Sequence, residues 1–148
     1  MKFRNALFLI AACAGITCAS GQNLKNPAAT ACPAAQDLGP LQLYGQWQVQ
    51  IAGQPGPASL RLEKDPEQPD SLVGSINRAG KLAQVAGEIE QGNFNLEESD
   101  DGTRISATWA GQVSEGSCGK EIKGLWTNTL QDNATPLAFV LRKSSGWE

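Results

Sequence analysis

Carboxylates are the side chains of this 148-residue chain that come nearest to a reactive set. Glu88 and Glu90 stand two residues apart, a spacing at which two carboxylates could serve as the acid and base of a glycosidase. Neither has the apolar sequence surroundings that keep a general acid protonated. We therefore predict a solvated outer face for this pair.

A second acidic group could suggest a calcium site. It consists of Glu97, Glu98, Asp100 and Asp101. The regular ligand spacing of a calcium loop and its distal glutamate are missing, however. We interpret the run as a solvated hairpin end and predict no metal site.

The chain has no histidine, which removes the Ser-His and Cys-His nucleophile pairs and every histidine metal ligand. Ser117 and Lys120 match the Ser-x-x-Lys spacing of penicillin-recognising enzymes. That spacing needs a helix, whereas on a strand it sends the two side chains to opposite faces. We predict a protein that is not an enzyme and uses no cofactor. An enzyme built on carboxylates alone is kept as an alternative to the two binding roles given at the end of this section.

Residues 1–21 have the features of a secretory signal peptide. Lys2 and Arg4 precede an apolar core at residues 6–16, and small residues follow. The core is about half of the roughly 20 residues that a membrane-spanning helix needs. We expect a periplasmic or secreted protein; the alternative is a membrane-anchored lipoprotein, because residues 10–13 resemble a lipobox ending at Cys13.

Removal of the leader would discard Cys13 and Cys18 and leave Cys32 and Cys118 as an even pair. In an oxidising compartment such a pair predicts one disulfide bond. The alternative is two free thiols.

Loss of the leader would also leave ten basic residues against fifteen acidic ones, a net charge of −5. Nucleic acid and anionic membrane surfaces attract basic proteins, so neither is predicted as a partner, and a membrane is expected only through a lipid anchor. Residues 22–42, rich in Ala and Pro, read as an extended linker. The predicted barrel domain spans residues 43–143, and residues 144–148 form a tail.

The domain alternates apolar and polar residues throughout, as in Trp47, Val49 and Ile51 with glutamines between them. Turn sequences separate eight such runs, and in-phase glycines mark tight bends. Ile105 falls on the apolar face of the sixth run. Predicted strands cover residues 44–52, 58–64, 71–77, 81–90, 93–98, 103–113, 119–128 and 136–143. The prediction is an all-β fold, a small eight-stranded antiparallel up-and-down barrel.

Three short pieces of these strands resemble calycins, the lipocalin and avidin type of barrel. Residues 45–47 (GQW) resemble the Gly-x-Trp that opens both groups, and residues 106–112 (SATWAGQ) with 124–126 (GLW) are similar to tryptophan-bearing avidin strands. The resemblance implies wall positions for three tryptophans and ligand-side positions for two hydroxyls. These are Trp47, Trp109 and Trp126, and Ser106 and Thr108.

Strict alternation turns Ser106 and Thr108 away from Trp109, so all three cannot line one cavity without a bulge. The last predicted strand, residues 136–143, also lacks the aspartate that in avidins reaches the ureido group of the ligand. Biotin binding is therefore not predicted.

The inward aromatic residues predict an apolar cup for a small molecule; the alternative is that they fill the barrel. Lys120 shares the phase of Ile122 and is predicted at a barrel mouth, pointing toward the axis; the alternative is a packed stem with its ammonium in water. The predicted ligand-binding residues are Trp47, Phe94, Trp109, Lys120 and Trp126.

Together these features predict an exported, non-enzymatic β-barrel binding module for a small apolar ligand. The alternative is a periplasmic protein-binding protein, such as a hydrolase inhibitor, with a filled barrel.

Overall fold

The computed structural model describes residues 32–146, and their alternating residues form eight antiparallel strands in a closed barrel. Each strand pairs with its neighbours in sequence, and β1 pairs with β8 to close the barrel, with Trp47 opposite Lys143. The predicted fold class is confirmed. The strands are β1 Gly45–Ile51, β2 Ala58–Lys64, β3 Ser71–Arg78, β4 Lys81–Glu90, β5 Asn93–Ser99, β6 Ala107–Val113, β7 Glu121–Asn128 and β8 Leu137–Lys143.

One apolar core occupies the interior because every strand turns alternate residues inward. In β1, Trp47, Val49 and Ile51 are buried and the glutamines between them are exposed. Removing apolar surface from water contributes about 25 cal/mol per Å². This burial is the main force that closes the sheet.

Four glycines lie where neighbouring strands come too close for a side chain. A Cβ at Gly124 would overlap the carbonyl oxygen of Ala110, and one at Gly111 would lie 2.7 Å from the carbonyl oxygen of Lys123. Gly74 and Gly87 meet the backbone of the adjacent strand in the same way. The in-phase glycines, which were predicted to mark tight bends, therefore mark places where neighbouring strands approach closely.

Residues 32–43 cover the end of the barrel at which β1 begins, which we call the capped end. A 3-10 turn at Ala35–Asp37 and a short helix, α1, at Pro40–Leu43 bury Ala35, Leu38 and Leu43 against the core. The described part of the predicted extended linker is thus folded. Leu38 and Leu43 are buried because the barrel end offers them an apolar surface, whereas Leu41 is exposed.

Polar and covalent links hold this cap in place. A disulfide bond joins Cys32 to Cys118, as predicted from the cysteine count. The Trp47 indole N–H donates to the Leu43 carbonyl oxygen at 2.8 Å, and the Lys143 ammonium donates to the Gln42 carbonyl oxygen. The ammonium also lies 5.8 Å from the centre of the Trp47 ring.

The opposite end, which we call the mouth, carries the connections at residues 52–57, 79–80, 100–106 and 129–136. Here the prediction that Ile105 faces inward is wrong, since 43% of Ile105 is exposed and β6 begins only at Ala107. Ser106 is buried instead, and its N–H donates to the Glu98 carbonyl oxygen at 2.7 Å. This irregular residue breaks the alternation before β6.

The predicted signal peptide, its lipobox alternative and most of the predicted linker lie outside the described residues. Among residues 32–146, no helix is long and apolar enough to span a membrane.

Candidate functional site

Glu98 lies inside the barrel, near the mouth. It follows Phe94 and Leu96 on the inward face of β5 and is completely buried. The prediction that this glutamate belongs to a solvated hairpin end is therefore wrong. The inward-facing alternation of β5 continues as far as Glu98. Only Asp100 and Asp101 of the acidic run lie in the exposed connection.

Three N–H groups converge on one oxygen of the Glu98 carboxylate. Oε2 accepts hydrogen bonds from Trp109 Nε1 at 3.1 Å, Trp126 Nε1 at 3.2 Å and Arg78 Nη1 at 3.1 Å. The other oxygen, Oε1, forms an ion pair with Arg78 Nη2. Charged hydrogen bonds of this kind offset the cost of burying a carboxylate.

Arg78 connects this buried carboxylate to the mouth. It is the last residue of β3, its side chain is 26% exposed, and its guanidinium lies 5.6 Å from the centre of the Trp126 ring. Burial lowers the pKa of Arg78, and the nearby Asp100 carboxylate opposes that effect. The guanidinium is fixed between a carboxylate and an aromatic ring.

The tryptophans fill the interior. Trp109 packs edge-on against Phe139, with ring centres 5.0 Å apart, and against Trp126, with ring centres 6.5 Å apart. Trp47 and Phe94 have no exposed surface and lie toward the capped end, near the starts of β1 and β5. The four predicted aromatic residues belong to one apolar core, and within it Trp109 and Trp126 share Glu98 as a hydrogen-bond partner.

Lys120 lies at one end of the barrel. It is exposed in the turn before β7, at the capped end, and does not line the mouth. Its exposure agrees with the alternative in which the lysine ammonium reaches water.

A cavity of about 330 Å³ opens at the mouth between β1, β2 and the end of β3. Apolar side chains line it together with polar groups, among them the Arg78 guanidinium and the Gln54 amide. We call this cavity the mouth recess; its principal lining residues are Val49, Ile51, Pro55, Pro57, Ala58 and Arg78. A lining of apolar side chains with charged and amide groups among them is compatible with a small-molecule site.

A larger groove of about 510 Å³ crosses the outer face of β3 to β6 and contains Asp65, Glu88 and Glu97. Glu88 and Glu90 are exposed, as predicted for an outer face, and Glu97 is exposed as well. Within residues 32–146, no group of three or more Asp, Glu, Cys or His is placed to hold a metal ion. The groove has no convergent set of groups like that around Glu98.

Sequence reasoning missed Arg78 and Glu98, although parity was a usable signal. Arg78 is in phase with Leu72 and Ile76 on β3, and Glu98 is in phase with the apolar residues of β5. Their charge argued for exposure, whereas their pairing permits burial.

Comparison with models of known protein families found no match, and comparison with curated proteins found none either. The class defined by the coordinates is the closed, eight-stranded, antiparallel up-and-down barrel. That architecture is compatible with a calycin-like fold.

Proposed function

We propose that this protein is an exported, non-enzymatic binding module that captures a small, largely apolar molecule in the mouth recess. The observation that supports the proposal most is the recess itself, which has apolar side chains and one fixed guanidinium in its lining. The cap covers the other end, and the tryptophans occupy the interior. Trp109 and Trp126 then act as the support beneath the site, holding Glu98 and through it Arg78.

A filling substitution tests this location. Ala58 is half-buried and lines the recess, so Ala58→Phe should occupy the space and weaken ligand binding at least tenfold. Ala86→Phe is the matched control because Ala86 is exposed on the outer face of β4. Binding of a panel of lipophilic compounds is followed by tryptophan fluorescence and melting temperature. A panel that changes neither in the wild type would contradict the proposal.

A second candidate is a protein-binding role, such as inhibition of a hydrolase, with the filled barrel as a rigid support. It is favoured by Ile105 and Leu130, which are 43% and 57% exposed on neighbouring mouth connections. Thr129 ties these connections together by donating its hydroxyl to the Ile105 carbonyl oxygen at 2.8 Å.

Native mass spectrometry of protein purified from its own host separates the two candidates. A retained small mass that Ala58→Phe removes supports ligand capture. A retained protein mass that Ile105→Ser with Leu130→Ser removes, and that Ala58→Phe leaves in place, supports the second role instead.

A further inference from the structure

We propose that the ligand of the mouth recess is uncharged and carries a hydrogen-bond acceptor, such as a ketone, ester or amide carbonyl, that Arg78 binds. This inference rests on the proposed function and names the ligand class for the same site. It follows from what Glu98 leaves available on Arg78.

The guanidinium of arginine has five N–H donors. Glu98 engages Nη1 and Nη2, one toward each carboxylate oxygen. Within the described residues 32–146, Arg78 donates to no other side chain or carbonyl. Donors therefore remain for a ligand, in a group that already borders the recess.

The charges around Arg78 argue against an ionic ligand. Glu98 already cancels the Arg78 charge at hydrogen-bond distance. Two further charges of opposite sign lie near Arg78. The Asp100 carboxylate is in the β5–β6 connection, and the exposed Lys81 is opposite Arg78 in the β3–β4 pair. A ligand anion bound at Arg78 would lie close to the Glu98 carboxylate that already neutralises this guanidinium, and a ligand cation would meet Arg78 itself.

A neutral carbonyl avoids both costs. It accepts a hydrogen bond from a guanidinium whose position is fixed, so little conformational entropy is lost on binding. The apolar remainder contacts Val49, Ile51 and the two prolines. At about 330 Å³ the recess is near the lower end of the usual range of ligand sites, roughly 300 to 1,000 Å³, which favours a compact molecule over a long lipid chain.

A set of probes with one ring and different head groups tests the inference. Cyclohexyl methyl ketone, cyclohexanecarboxylate, cyclohexylmethylammonium and ethylcyclohexane are titrated at pH 7, with the indole N–H signals of Trp109 and Trp126 as the NMR readout. We expect the ketone to bind about tenfold more tightly than each of the other three. Tighter binding of the carboxylate or the ammonium would overturn this inference and leave the proposed function standing.

Arg78→Lys keeps a positive charge beside Glu98 but removes the planar fork of donors. It should weaken the ketone about tenfold and leave ethylcyclohexane unchanged. Arg61→Lys, on the outer face of β2, is the matched control and should change neither. If Arg78→Lys does not fold, the ranking of the probes on the wild type still decides. Ketone binding that Ala58→Phe leaves intact would instead count against the proposed function.

Discussion

At the scale of single residues, the buried ion pair is the most consequential feature of the barrel. Glu98 is fully buried, and its carboxylate is contacted by N–H donors of Trp109, Trp126 and Arg78. A buried charge whose partner is removed costs far more than an exposed one. Replacing one member of the pair alone should therefore lower the free energy of unfolding strongly.

Glu98→Gln removes the negative charge while keeping the shape. We expect the free energy of unfolding to fall by about 3 kcal/mol, at the lower end of the range for breaking buried pairs because Arg78 retains contact with water. Urea denaturation measures it. Glu63→Gln is the control. It breaks the ion pair between Glu63 and Arg61, which is exposed, so the free energy of unfolding should fall by less than about 1 kcal/mol. Equal losses in the two variants would argue against a structural role for the buried pair.

At the scale of elements, strand parity explains most of what could be predicted. The eight predicted strands agree with the observed ones to within a few residues, because alternation is a local pattern that the pleated backbone requires. The prediction that Ile105 faces inward failed because the hydrogen bond from Ser106 to Glu98 is a contact between strands, which local alternation does not encode. The predicted exposure of Glu98 was wrong because its neutralising partner, Arg78, is twenty residues away in sequence.

Close approach of β6 and β7 gives a test at this scale. Gly111 and Gly124 stand opposite each other in the pairing, and a Cβ at position 124 would overlap the β6 backbone. Gly124→Ala should lower the free energy of unfolding by about 1 to 3 kcal/mol or prevent folding. Gly146→Ala is the control, since no atom lies within 4 Å of its added Cβ. A Gly124→Ala protein as stable as the wild type would contradict the close approach.

The β5–β6 connection predicts a dependence on pH. The backbone N–H groups of Arg104 and Thr103 both donate to Asp101 Oδ1 at 2.8 Å and lower the pKa of Asp101 to about 2. The folded pKa lies below the ordinary value of 3.8, so the stabilisation is present above pH 4 and is lost as the pH falls through about 2.

Asp101→Ala should therefore melt a few degrees below the wild type at pH 7, and the difference should disappear near pH 2. Thermal unfolding followed by circular dichroism across this range is the measurement. Asp132→Ala, in the exposed β7–β8 connection, serves as the comparison and should follow the wild type. A difference for Asp101→Ala that persists at the lowest pH would exclude the carboxylate as its cause.

At the scale of the whole molecule, the disulfide and the cap decide which end of the barrel is accessible. The cysteine count, once the predicted leader is removed, predicted the Cys32–Cys118 bond, but not the burial of Leu38 and Leu43, since that depends on a barrel end assembled from distant strands. The recess was not predictable for the same reason. It depends on how the connection at residues 52–57 lies over β1 and β2.

Replacing both cysteines by serine should lower the free energy of unfolding by roughly 2 to 4 kcal/mol, because the bond closes a long loop and restricts the unfolded chain. The barrel should still form, since its core is built from the strands. Chemical denaturation with and without a reducing agent measures the loss, and the double variant should not respond to the reductant. A wild type that is equally stable in both conditions would contradict this role.

The even number of strands has a practical consequence. β1 begins and β8 ends on the same side of the barrel, where Cys32 and Lys143 also lie. A tag attached beside Cys32 or just after Lys143 is therefore joined at the capped end, and the mouth at the other end points away from the attachment. Sensor chips loaded through an affinity tag should present every copy in a receptive orientation.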